Sequence, residues 1–153
     1  MNSPETMLVR ERDAGARLLD ILCEEHRALT NRDIETLGRI VHEKKQQVIE
    51  LESLARERDA ILRELGFTVG REGIESWLHQ RSNGAALGLW KELQDLLLRG
   101  RQQNRINGGL VEINRRCTQR ALGLLQGQPP EQEIYGPTGV SSAAVRSSIH
   151  TSI

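Results

Sequence analysis

Residues 34–65, IETLGRIVHEKKQQVIELESLARERDAILREL, decide the fold. Steps of three and four from Ile34 reach Leu37, Val41, Lys44, Val48, Leu51, Ala55, Arg58, Leu62 and Leu65. This is an unbroken a/d seam, flanked on one side by Ile40, Leu54 and Ile61. Gly66 follows as a left-handed cap residue, so the spacing predicts one helix over 34–65. At ~1.5 Å per residue it is roughly 50 Å long.

On the N-terminal side, Ser3-Pro4-Glu5 is a helix start: a hydroxyl cap, Pro at the first helical position, then an acid at the positive end of the dipole. Leu8, Gly15, Leu22 and Leu29 recur every heptad, with Leu18 or Leu19 in the interval, and predict a first helix ending near Leu29. Thr30-Asn31-Arg32-Asp33 supplies cap residues for a turn or a kink.

On the C-terminal side, Phe67 to Gly73 reads as a loop and Ile74 to Gln80 as a short helix carrying Trp77. A second long stripe runs through Trp90, Leu93, Leu97, Gly100, Asn104, Asn107, Val111, Asn114, Thr118, Ala121 and Leu125. Gly108-Gly109 is a candidate kink within it, each Gly costing about 1 kcal/mol relative to Ala. Pro129-Pro130, Gly136-Pro137 and Gly139 then forbid regular helix. The expected fold is all-α: three long helices in an antiparallel, coiled-coil-like bundle with a short connecting helix and an irregular C-terminal tail. The expected division is a helical bundle domain over 1–127 and a Pro/Gly/Ser-rich tail over 128–153 that orders on binding. In the tail, Val145, Ile149 and Ile153 are spaced four apart.

Composition agrees with this class. Charged residues make up 27% of the chain and aromatics 3%, so sheet-forming side chains are scarce. The 21 basic and 21 acidic side chains cancel, leaving no global field for nucleic acid or an anionic membrane. The start, Met1-Asn2-Ser3-Pro4-Glu5, lacks a basic run followed by an apolar one, so a cytoplasmic location is expected. The longest aliphatic string, Leu96-Leu97-Leu98, is too short for membrane insertion. Cys23 and Cys117 read as buried, reduced thiols.

Chemistry is not evident. His26, His42, His79 and His150 are scattered. His42-Glu43 lacks the second His of a zinc-protease helix, and the residues three before His26 and His42 are Cys23 and Arg39, which excludes Glu-x-x-His di-iron pairs. No phosphate loop, nucleophile elbow or Cys-x-x-Cys occurs. The expectation is therefore no catalytic residue, no metal and no cofactor. Arg99, Arg101, Arg105, Arg115, Arg116 and Arg120 form a basic run, read as a solvated face or a patch for an acidic partner.

Polar residues interrupt both long stripes. Lys44 and Arg58 stand where Leu is expected, and Asn104, Asn107 and Asn114 do so on the last helix. If the two helices pack antiparallel, positions whose numbers sum to about 148 face one another. Lys44 then meets Asn104, and Arg58 stacks on Trp90. The alternative is that both cations run their stems along the apolar surface and reach solvent.

Lys44 and Arg58 two heptads apart, then Asn104-Arg105-Ile106-Asn107-Gly108, then Tyr135-Gly136-Pro137-Thr138-Gly139 appear in that order. In this the chain resembles the FlgN family of flagellar type III export chaperones, over its length to about Gly139. The resemblance implies a cytosolic chaperone that binds C-terminal helical regions of hook–filament junction proteins, prevents their premature assembly and delivers them to the cytosolic domain of the export gate. It implies partner binding by the C-terminal part of the last helix and the segment after it: Asn107, Gly108, Leu110, Val111, Ile113, Tyr135 and Gly139. Composition and periodicity by themselves leave open a structural coiled-coil adaptor or homodimerisation module without an export client, and homo-oligomerisation of either kind.

Overall fold

The computed structural model describes residues 2–81 and 84–127. Its four helices are α1 (Pro4–Asn31), α2 (Ile34–Glu64), α3 (Gly70–Arg81) and α4 (Gly84–Leu125), with no strand among the described residues. By its contacts the chain divides into two compact units, Met1–Ile113 and Asn114–Ile153, with the boundary within α4. The tail expected after Gly127 lies outside the described residues.

The local signals act where the sequence puts them. Ser3 Oγ accepts from Thr6 N at 3.2 Å and caps α1. The chain then turns rather than kinks. Arg32 takes a left-handed φ of 54°, Asp33 N donates to the Ala28 carbonyl, and the Asp33 carboxylate caps α2 through Thr36 N at 3.1 Å. Gly66, at φ 83°, closes α2: its N–H donates to Arg63 O and that of Phe67 to Leu62 O. The connecting helix begins at Gly70, earlier than Ile74. Asp59 Oδ1, brought from α2, accepts from Gly70 N at 3.1 Å and satisfies a first-turn donor from a distance in sequence.

Helices α1 and α2 form an antiparallel hairpin, joined by pairs such as Arg10–Glu57 and Arg17–Glu50. Helix α4 runs parallel to α1: Gly15 lies against Leu93 and Leu96, and Gly100 against Leu22. It runs antiparallel to α2, meeting it at Lys44–Asn104 and Arg58–Trp90. One core cluster joins Leu8, Leu62, Ile74, Trp77, Ala86, Trp90 and Leu93; another joins Met7, Ala14 and Leu54.

The α2 seam is rotated from its simplest reading. Leu37, Lys44, Leu51 and Arg58 are buried or half-buried, but their alternating partners are Ile40, Gln47, Leu54 and Ile61. Val41 and Val48 are instead 50% and 38% exposed. The cause is α1, which covers the Ile40 side; there Gln47 Nε2 donates to the Ala14 carbonyl at 3.2 Å. Helix α4 passes Gly108-Gly109 without a break. Its buried positions end at Asn107, and Val111 is 51% exposed. Cys23 is half-buried and Cys117 exposed, so the latter departs from a core thiol.

Candidate functional site

Two charged layers cross unit 1, and α1 supplies the acid in each. In the first, Arg58 Nη1 donates to Glu11 Oε2 at 2.7 Å, with side chains 8% and 3% exposed. The same guanidinium bonds Asp59 Oδ1 through Nε and Nη2, and lies 5.7 Å from the Trp90 ring centroid. Burial pushes the Glu11 carboxyl up to about 7; Arg58 opposes the shift and Asp59 adds to it. Among the described residues, Glu11 Oε1 and Trp77 Nε1 are buried without a hydrogen-bond partner.

In the second layer, Lys44 Nζ donates to both Glu25 oxygens, at 3.1 and 2.9 Å, and to Asn104 Oδ1 at 3.1 Å. Asn107, 1% exposed, donates through Nδ2 to the Leu22 carbonyl and to Glu25 Oε1. Its Oδ1 accepts from Gln103 Nε2 at 3.0 Å and lies 3.3 Å from His26 Nδ1. Three helices are thus tied at one level, and Glu25 is left with two donors although its side chain is 6% exposed.

The four interior polar residues read from the sequence, Lys44, Arg58, Asn104 and Asn107, sit in two layers, Arg58 in the first and the other three in the second. Arg58 and Asn107 are buried, Lys44 is 30% exposed, and Asn104 lies at the surface. Glu11, Glu25 and His26 escaped the sequence reading. A signal for the two acids was present: Glu11 and Glu25 are two heptads apart, the same spacing as Lys44 and Arg58, and reversed pairing matches them. Neither pair is evidence of large stabilisation, since desolvation offsets most of the attraction, but each pair disfavours a slipped register.

The residues that the resemblance assigns to partner binding separate. Asn107 is buried and its amide is engaged as above. Gly108 is exposed and Leu110 half-buried, while Val111 and Ile113 are 51% and 57% exposed. Further along α4, Leu122, Leu124 and Leu125 are 52%, 61% and 84% exposed. Tyr135 and Gly139 lie outside the described residues. Among the described residues no group of His, Cys, Asp and Glu could hold a metal ion, and no helix is long and apolar enough to cross a membrane.

The model of the FlgN protein family matches residues 1–143. A solved structure of a proposed flagella synthesis protein, FlgN from Pseudomonas aeruginosa, superposes with a TM-score of 0.61 at 29% identity, covering 72% of this chain and 89% of that one. No curated protein matches the chain. With the family model spanning nearly the whole sequence and a solved flagella synthesis protein sharing the fold, this chain belongs to the FlgN family and its role is tied to the flagellum.

Proposed function

We propose that the chain is a cytosolic export chaperone of the flagellum. It binds C-terminal helical regions of hook–filament junction proteins, prevents their premature assembly and delivers them to the type III export gate. The observation that carries this reading is the change in α4 after Asn107. Upstream, Ala86, Trp90, Leu93 and Gly100 are covered; downstream, Val111 and Ile113 expose large apolar surface on a continuous helix. Exposed aliphatic side chains on this stretch suit contact with an amphipathic client helix, whose own apolar face is what must be shielded before assembly. Tyr135 and Gly139 enter by family resemblance, Tyr135 as an aromatic anchor at the gate-docking step.

Titration calorimetry against a junction-protein C-terminal peptide tests the reading. Val111→Ser combined with Ile113→Ser should weaken binding at least tenfold, about 1.4 kcal/mol, with helix content unchanged. Tyr135→Ala should spare the client peptide and weaken binding to the gate's cytosolic domain. Full affinity in the double variant would move the client away from α4. A peptide-independent doubling of mass, abolished by the same double variant, would favour the homodimeric adaptor instead.

A further inference from the structure

A second apolar surface lies in unit 1, away from Val111 and Ile113. Helices α2 and α4 stand apart over part of α1 and leave a groove of about 200 Å³. Leu18 and Leu22 of α1, Val48 of α2 and Leu97 of α4 line it. Val48 belongs to the seam that α1 leaves uncovered, and Val41, one heptad earlier, extends the same exposed row. The groove is therefore the unfilled half of the strongest apolar pattern in the sequence.

Its polar lining has one sign. Lys44 and Arg101 contribute to the wall, and no acidic residue does. Arg105 stands one helical turn beyond Arg101 on the same row of α4, and both arginines are exposed. Among the described residues neither makes an ion pair, whereas Lys44 is held by Glu25. An apolar floor between two helices with a cationic wall has the form of a helix-binding groove.

We propose that this groove docks an amphipathic helix of another protein, one whose apolar stripe is flanked by acidic side chains. Charge selects that occupant. The chain's own Val145, Ile149 and Ile153 stripe carries Arg146 and has no acidic residue after Glu133. A second copy presenting this face would set Lys44 and Arg101 against their own kind. The proposal does not depend on the client reading, because its residues are different and can be substituted separately.

The test uses the full chain and two labelled designed peptides, read by fluorescence anisotropy. Both carry Leu at positions i, i+3, i+4 and i+7; one has Glu flanking the stripe and the other has Lys. The Glu peptide should bind at least about tenfold more tightly than the Lys peptide, and its advantage should shrink as salt is raised. Arg101→Glu should remove most of the preference, and Val48→Glu should weaken both peptides; both sites are exposed, so helix content should hold. Val111→Ser should leave both affinities unchanged. Equal binding of the two peptides, or binding indifferent to Arg101→Glu and Val48→Glu, overturns the proposal. Loss of binding in Val111→Ser alone overturns it too, by placing the peptide on the distal part of α4. A concentration-dependent dimer abolished by Val48→Glu would show that the occupant is a second copy, and would equally refute an acidic partner.

Discussion

Arg58→Met tests the buried layer most directly. It removes the donor that Glu11 Oε2 holds at 2.7 Å and leaves a buried carboxyl whose other oxygen already has no partner among the described residues. Stranding a buried charge in this way costs about 3–5 kcal/mol, a large share of a domain's typical stability. The cost should depend on pH, and its sign follows from the direction of the Glu11 shift. With its carboxyl raised from 4.5 to about 7, folded Glu11 holds a proton more tightly than the unfolded chain does. The stability linked to that proton is complete below about 4.5 and is lost as pH rises through about 7, a span worth about 3 kcal/mol. Without Arg58 the carboxyl moves higher still, so the variant should be most impaired near pH 8 and much less so near pH 5. Replacing both residues, Glu11→Leu with Arg58→Met, should recover wild-type stability or exceed it by about 1–4 kcal/mol. Urea denaturation followed by far-ultraviolet circular dichroism at the two pH values measures all three proteins. A single variant equally impaired at both pH values, or a double variant no better than the single, would refute the reasoning. The loss would then come from packing of the guanidinium on Trp90.

Lys44→Met should cost about 1–3 kcal/mol in the same denaturation assay, because it strands Glu25 while Asn107 still donates to it. Asn104→Leu, at an exposed position, should cost less than about 1 kcal/mol. Arg32→Gly should raise stability by about 1 kcal/mol, since a non-Gly residue now holds the left-handed conformation between α1 and α2; an unchanged midpoint would argue against that turn. Gly73→Ala should lower the thermal midpoint by several degrees, because a Cβ there would collide with the Thr68 carbonyl.

Much of the scaffold was legible because it depends on local chemistry. Ser3, Asp33 and Gly66 mark helix ends by caps that act within a few residues, and the three-and-four spacing from Ile34 to Leu65 persists for too many turns to be anything but helix. The alignment of Lys44 with Asn104 and Arg58 with Trp90 was also readable, since positions that face one another on two antiparallel helices have numbers with a nearly constant sum. Less of the candidate site could be read. Periodicity presents the Val41–Val48 row and the Ile40–Leu54 row of α2 as almost equally apolar, and only the position of α1 shows that Gln47 is inside and Val48 outside. Asn107 and Val111 occupy one stripe of α4, yet the first is buried against Leu22 and Glu25 and the second is exposed; α1 ends at Asn31, little more than a turn past His26, which faces Asn107.

The sequence by itself determined the helices, their caps and their order, because those follow from interactions spanning one or two turns. The tertiary structure decided which acid each buried cation meets, which half of the α2 seam stays open and where along α4 the covered stripe ends. Each of those depends on a neighbour far away in the chain, and burial is a property of the space between helices rather than of any one of them.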